Sequence, residues 1–231
     1  MYKKIGILGG LTPESTVTYY QHIVRSYRKM FGDHAYPEII IYSVSFQKFE
    51  DWMEEEDWDS IKEALLSCLG GLSDAGADFA VIATNTMHIV FDELKERSPV
   101  PIISIIETTA EAIKKEGMDV VGLLGTCFTM EEPFYREGLE RHGIEVVVPG
   151  KADRDYINKV IFEELSRGIL HPESRDRFLD IIEDLIQRGV QGIVLGCTEI
   201  PLLVAPEHTP VKLFDTATLH AEKALEYAIK P

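Results

Sequence analysis

Ala75-Gly76-Ala77-Asp78-Phe79-Ala80-Val81-Ile82-Ala83-Thr84-Asn85-Thr86 returns 113 residues later as Arg188-Gly189-Val190-Gln191-Gly192-Ile193-Val194-Leu195-Gly196-Cys197-Thr198-Glu199. Each copy has a glycine suited to end a helix, then a short apolar run, then a small polar cluster. An unbroken apolar run of this length fits a strand of a parallel sheet buried on both faces. The polar cluster then falls at the strand's C-terminal end, where open parallel sheets bind ligands. A duplicated unit is expected to bring two such clusters face to face across a cleft. One cluster presents the hydroxyl of Thr84 and the other the thiol of Cys197. Two opposed proton carriers suit chemistry that removes a proton from one face of a carbon and returns it to the other.

The repeat extends outward from this pair. Lys4-Ile5-Gly6-Ile7-Leu8-Gly9-Gly10 resembles Val120-Val121-Gly122-Leu123-Leu124-Gly125-Thr126, and Pro101-Ile102-Ile103 weakly echoes Pro210-Val211-Lys212. Apolar runs alternate with amphipathic stretches throughout, the pattern of a parallel sheet with crossover helices. Strands are predicted at Lys4–Leu8, Glu38–Ser43, Phe79–Ala83, Ile102–Ile105, Val120–Leu124, Glu145–Val148, Gly192–Leu195 and Lys212–Phe214. Helices are predicted to begin near Pro13, Ser60, Met87, Thr108, Met130, Asp153, Ser174 and Thr216. The fold class is α/β, as two pseudo-symmetric parallel-sheet lobes with the active site in the cleft between them. Lobe one is expected over residues 1–100 plus 210–231, and lobe two over residues 101–209.

Composition narrows the function. The net charge of −16 argues against nucleic acid or an anionic membrane as a partner. It leaves a small molecule held by local donors. No apolar run approaches the roughly 20 residues needed to cross a bilayer, and no signal-peptide core follows Lys3 and Lys4, so a cytoplasmic location is expected. Three cysteines, Cys68, Cys127 and Cys197, are an odd count without zinc-ligand spacing, which disfavours both a disulfide framework and a structural metal.

Four polar loops fall at predicted strand ends: Gly9-Gly10-Leu11-Thr12, Thr84-Asn85-Thr86, Gly125-Thr126-Cys127-Phe128-Thr129 and Cys197-Thr198-Glu199. Their hydroxyls and helix-start N–H groups can hold a carboxylate without much positive charge. Thr84 and Cys197 are the catalytic candidates, and Thr12, Asn85, Thr86, Thr126, Thr129, Thr198 and Glu199 the substrate-binding ones. Gly9-Gly10 lacks the third glycine of a dinucleotide loop, so it reads equally as a structural turn or as a close approach to a small ligand. Cys68 lies among Leu65, Leu66 and Leu69 and reads as core. Cys127 has a supporting place. His88 and His220 either tune a proton carrier or are hydrogen-bonded structural histidines, the more common case.

These residues resemble the aspartate/glutamate racemase family along essentially the whole chain. The likeness rests on Ile5-Gly6-Ile7-Leu8-Gly9-Gly10, Ala83-Thr84-Asn85-Thr86-Met87-His88, Leu124-Gly125-Thr126 with Thr129-Met130, Ile161-Phe162-Glu163-Glu164-Leu165, Gly196-Cys197-Thr198-Glu199 and Phe214-Asp215-Thr216-Ala217. The resemblance implies cofactor-independent racemisation, with neither pyridoxal nor metal, by two residues in pseudo-symmetric lobes of a homodimer. Where the family usually has its first cysteine this chain has Thr84, which resembles an L-aspartate/L-glutamate-specific branch. Where aspartate racemases commonly carry a lysine for the substrate's side-chain carboxylate, it has Ser166, next to Arg167.

A free cysteine is only about 3 per cent thiolate at pH 7, and helix N-termini or local donors are expected to raise that fraction at Cys197. The threonine hydroxyl is a far poorer base but can donate a proton or hold a water that does. Cys197 is therefore expected as the strong proton carrier and Thr84 as the weak one, with N–H groups near Asn85, Thr86 and Thr198 on the enolate. The leading reading is a racemase of acidic amino acids. The alternatives are a single-thiol decarboxylase or hydantoin-racemase-like enzyme, and a binding protein for amino acids or dicarboxylates that has lost one base.

Overall fold

The apolar runs form two separate four-stranded parallel sheets, each with surrounding helices. A computed structural model describes residues 2–230. Along the first half run β1 (Ile5–Gly9), α1 (Pro13–Phe31), β2 (Ile39–Ser43), α2 (Phe46–Glu54), α3 (Trp58–Asp74) and β3 (Phe79–Ile82). A 3₁₀ turn at Thr86–Val90, α4 (Phe91–Arg97) and β4 (Ile102–Ile103) follow. The second half holds α5 (Ile105–Lys115), β5 (Val120–Leu124), α6 (Cys127–Glu131), α7 (Pro133–Glu140), β6 (Glu145–Val147) and α8 (Lys151–Glu163). Next come a 3₁₀ turn at Leu165–Arg167, α9 (Pro172–Gln187), β7 (Gly192–Leu195), α10 (Ile200–Leu203), a 3₁₀ turn at Pro206–His208, β8 (Lys212–Asp215) and α11 (Thr216–Ile229).

The first sheet has the order β2-β1-β3-β4 and the second β6-β5-β7-β8, so each strand has a counterpart four strands later in the same place. Register agrees with the sequence repeat. Ile5 lies opposite Phe79 in the first sheet and Val121 opposite Gly192 in the second. The chain divides into two compact units, one of residues up to Ile105 together with those from Ala217 onward, the other Ile106–Thr216.

Two boundaries differ from those expected at residues 100/101 and 209/210. β4 pairs with β3 and so belongs to the first sheet, and β8 pairs with β7 and stays in the second. Only α11 returns to the first unit, where the Lys3 N–H donates to the Ala228 carbonyl. The echo of Pro101 with Pro210 marks equivalent fourth strands, each ending its own unit rather than beginning the next.

Helix limits follow local chemistry. α1 starts with Pro13 in its first turn and Glu14 near the positive end of the dipole, and ends with Arg28 and Lys29 before Gly32 at φ 74°. Asp57 caps α3 by accepting the Ser60 N–H at 3.0 Å. The helix predicted near Met130 is two short ones, because Pro133 cannot continue the first and instead opens the second. The segment predicted to start a helix near Met87 is a 3₁₀ turn leading into α4. α2 has no counterpart among the helix starts predicted from the sequence; it buries Phe49 and Met53.

The first core joins Ile5, Ile7, Phe79 and Val81 of the sheet to Tyr19, Ile23 and Tyr27 of α1. Ala217, Ala221, Ala224 and Ala228 present a smooth face of α11 to the same core, and their small side chains let the helix approach closely. In the second unit Val121, Leu123 and Ile193 are buried together with Ile157, Phe178, Ile181 and Leu185 of the flanking helices. Burying each such large apolar side chain contributes roughly 1.5–3 kcal/mol, enough to fix which strand ends carry the polar loops.

Candidate active site

In the first unit the polar loops after β1 and β3 are neighbours because those strands pair. Gly10 turns the chain at φ 83°, and a side chain there would collide with the Val44 carbonyl oxygen. Its N–H donates to Thr16 Oγ1 at 2.8 Å. The glycine pair is thus a structural turn with its N–H already engaged. Thr12 stands at the N-cap of α1 in an extended conformation, with no capping bond from its side chain. Ser15 Oγ donates to the Thr12 carbonyl at 3.0 Å and to the Ala83 carbonyl at 2.7 Å. That second bond ties the start of α1 to the residue preceding Thr84.

Thr84 and Asn85 are buried, and Thr86 is half-buried as the first residue of its 3₁₀ turn. The Thr84 N–H donates to the Ile82 carbonyl at 2.9 Å, and the His88 ring lies 2.9 Å from the Thr84 carbonyl through Nδ1. A carbonyl can only accept, so Nδ1 of His88 carries the proton; Nε2 then accepts the Ile105 N–H at 3.1 Å. Burial pushes this imidazole down to about 4. His220 is similarly enclosed: Nε2 donates to the Ile103 carbonyl at 2.9 Å and Nδ1 lies 2.8 Å from Tyr19 Oη. Burial, then the neighbouring His88, pushes it down to about 3. Both histidines are neutral structural ties; His88 fixes the backbone of Thr84, and its bond to that carbonyl is a role not visible in the sequence.

In the second unit the loops after β5 and β7 are neighbours by the same pairing. Thr126 caps α6, accepting the Thr129 N–H at 3.4 Å, with the two hydroxyls 3.2 Å apart. The Cys127 N–H donates to Asn158 Oδ1 at 2.9 Å, which fastens this loop to α8. The Cys127 thiol is half-buried and pushed up by burial, then by the charges of Glu131 and Asp155.

Cys197 follows β7 at the position that Thr84 holds after β3, two residues past the last strand residue in each case. It is a buried residue. Its thiol donates to Glu199 Oε2 at 2.8 Å, and the Thr198 hydroxyl donates to the same oxygen at 2.8 Å. Glu199 is itself 2 % exposed. Burial, then the charge and hydrogen bond of Glu199, push the Cys197 thiol well above its ordinary value, against the smaller opposite pull of the Thr198 and Glu199 N–H groups. The expectation of an enriched thiolate is therefore corrected. α10 has only four residues, and its start cannot outweigh desolvation plus an adjacent carboxylate. The resting sulfur is a protonated thiol.

The sequence-derived candidates lie at the C-terminal ends of the strands, most on the connecting loops, with Thr86 opening a 3₁₀ turn and Thr129 inside α6. Thr12, Thr84, Asn85 and Thr86 belong to the first unit; Thr126, Thr129, Cys197, Thr198 and Glu199 belong to the second. Ser166 Oγ donates to the Phe162 carbonyl at 2.7 Å, so its hydroxyl is engaged by its own helix end. Among the described residues no helix is long and apolar enough to cross a membrane.

The geometry agrees with what the chain is similar to. The family described as Asp/Glu/hydantoin racemase matches residues 8–224. The broad specificity amino-acid racemase RacX of Bacillus subtilis is 25% identical over 227 residues, covering 96% of each chain. A crystal structure of a candidate Asp/Glu racemase from Yersinia pestis aligns with a TM-score of 0.92 at 42% identity, covering 99% of this chain and 100% of that one. An aspartate racemase homologue from Pyrococcus horikoshii aligns at 0.87 with 40% identity, again over 99% and 100%. With a family match that runs from β1 into α11 and the same strand order twice over, the chain belongs to the Asp/Glu/hydantoin racemase family and is an enzyme of the racemase class.

Proposed function

We propose that this racemase interconverts the L and D forms of aspartate or glutamate by direct proton transfer at Cα, with Cys197 on one face of the substrate and Thr84 on the other. The observation that carries this reading is the equivalence of Thr84 and Cys197 in the two sheets. Each stands two residues beyond the third strand of an identically ordered sheet, on a loop that also offers hydroxyls. The name of the Pyrococcus relative supports an acidic substrate, and that of RacX supports a wider range.

In this mechanism a carrier on one face takes the α-hydrogen as a proton, and the C–H electron pair flows into the substrate carboxylate to give an enolate. N–H groups around Asn85, Thr86 and Thr198 receive the developing charge. A proton delivered to the opposite face completes inversion. The Thr84 hydroxyl, or a water it holds, is the weaker of the two carriers, because a hydroxyl has no accessible anion near neutral pH. Enantiomers have equal free energy, so kcat/KM is the same in both directions; any asymmetry lies in kcat and KM separately or in exchange without inversion.

The proposal is tested by incubating single enantiomers of aspartate, glutamate and a panel of neutral amino acids with the protein and following the enantiomeric ratio. Racemisation of aspartate or glutamate is the expected result. Turnover confined to neutral side chains would overturn the assigned substrate, and inertness toward every amino acid would favour a binding protein. The same proposal includes a homodimer in the cytoplasm. The three cysteines are free, which suits a reducing compartment. A monomeric mass by light scattering would refute the assembly.

A further inference from the structure

The backbone of Thr84 is gripped on both sides. Its N–H donates to the Ile82 carbonyl at 2.9 Å, closing a tight turn at the end of β3. The carbonyl before it, that of Ala83, accepts Ser15 Oγ at 2.7 Å, and its own carbonyl accepts Nδ1–H of His88 at 2.9 Å. The His88 ring is fixed in turn. It stacks on Phe91 with ring centroids 5.0 Å apart, meets the His220 ring edge-on at 6.1 Å, and accepts the Ile105 N–H at Nε2. His220 donates to the Ile103 carbonyl, so the segment that anchors the His88 ring is itself anchored. All of these residues belong to the first unit.

Peptide groups are planar, so two side chains holding the carbonyls on either side of one residue set the direction of its side chain. This matters more at Thr84 than at Cys197. A hydroxyl has no accessible anion to make up for a poor position, so its share of proton transfer depends on where its oxygen points.

We propose that Ser15 and His88 are positioning residues for Thr84, aiming its hydroxyl so that they govern proton transfer on that face of the substrate and leave the Cys197 face alone. This rests on the racemase reading of the site and goes beyond it by assigning two side chains that touch no substrate. Neither exchanges a proton during the reaction; each remains a donor to its carbonyl. The His88 ring, held down to about 4 by burial, contributes no charge near neutral pH.

Two conservative replacements separate the bonds of His88. The amide nitrogen of His88→Asn lies as many bonds from Cα as Nδ1 and still donates to the Thr84 carbonyl. The amide of His88→Gln reaches the place of Nε2 and serves Ile105 instead. Ser15→Ala removes the other grip at the loss of a single oxygen, a change the fold tolerates more readily. Single enantiomers of aspartate and glutamate are followed in deuterium oxide for inversion and for exchange with retention. In His88→Gln and in Ser15→Ala, inversion falls about tenfold or more in kcat at nearly constant KM, the scale of a reacting group misplaced by a fraction of an ångström. Exchange with retention, for the enantiomer facing Cys197, stays at the parent rate. His88→Asn inverts at close to the parent rate. The backbone carbonyl carbon resonance of Thr84, read by NMR without substrate, moves in His88→Gln and not in His88→Asn.

Exchange and inversion falling together in His88→Gln and Ser15→Ala would mark a general disturbance of the fold and overturn the proposal. So would inversion at the parent rate in Ser15→Ala, or a His88→Asn variant no better than His88→Gln. If the parent neither inverts nor exchanges any amino acid, the racemase reading fails. The Thr84 resonance then decides alone, and one that stays in place in His88→Gln overturns the hold on Thr84.

Discussion

Replacing Cys197 with alanine is expected to abolish exchange of the substrate α-hydrogen, and Cys197→Ser to lower it by about a hundredfold or more. Serine keeps a hydrogen-bond donor to Glu199, but its oxygen is far harder to deprotonate than sulfur, so neither substitution leaves a usable base. The fold should survive both changes, because Cys197 is a small buried side chain at a strand end, and serine and alanine are no larger. Cys68→Ala and Cys127→Ala are the controls. Cys68 is buried on α3, where burial pushes its thiol up, and the Cys127 loop is held through its backbone N–H rather than its sulfur. Mass-spectrometric deuterium uptake at Cα, read for all three variants, checks this. Exchange that persists in Cys197→Ala would place the base elsewhere.

The second large effect is on stability. His88 and His220 are buried and neutral, held at about 4 and about 3 against an ordinary value of 6.5. The unfolded chain therefore binds protons that the folded chain refuses as pH falls below 6.5. Stability is fully present above that value and is lost progressively down through the folded values. For two such histidines the loss between pH 8 and pH 5 is about 4 kcal/mol, at about 1.4 kcal/mol per pKa unit. That is a large share of the 5–15 kcal/mol typical of a folded domain.

The mechanical reason is plain at His88. A second ring proton on Nε2 would face the Ile105 N–H, two donors with nothing between them. The first unit should open first, since both histidines belong to it. Urea unfolding at a series of pH values, followed by hydrogen exchange of β1 and β3, measures this. A midpoint that stays constant between pH 7.5 and pH 5 would contradict it.

Much of this architecture was legible in the chain because repetition and apolar period are local signals. The echo of residues 75–86 with residues 188–199 located the third strand of each sheet, and with it Thr84 and Cys197. The unit boundaries were misplaced because Pro101 and Pro210 mark new strands equally well whether those strands close one sheet or open the next; only pairing decides. α2 is hard to see in the sequence because its two buried apolar residues, Phe49 and Met53, are interspersed with acidic ones such as Glu50, Asp51 and Glu54.

The state of the Cys197 sulfur was hidden for a different reason. Sequence places Glu199 two residues from Cys197, but whether its carboxylate turns back to the sulfur or out to solvent is a matter of rotamer and burial. It turns back, and the expected thiolate becomes a thiol. The same limit applies to His88, whose ties to the Thr84 carbonyl and the Ile105 N–H join segments that the sequence leaves unrelated.

The central claim is that one strong carrier, Cys197, and one weak carrier, Thr84, act on opposite faces of Cα. The most direct measurement follows L- and D-aspartate, and L- and D-glutamate, with the unaltered protein in deuterium oxide, recording α-deuterium and chirality together. The account predicts deuterium at Cα in both directions. For the enantiomer whose α-hydrogen faces Cys197, deuterium should appear in unconverted substrate faster than the mirror image forms, because the same sulfur returns a solvent-exchanged proton before Thr84 can. Thr84→Cys should narrow that gap. Inversion that keeps pace with exchange for both enantiomers would show Thr84 to be an equal partner, and the absence of α-deuterium from every amino acid would contradict proton transfer by this pair altogether.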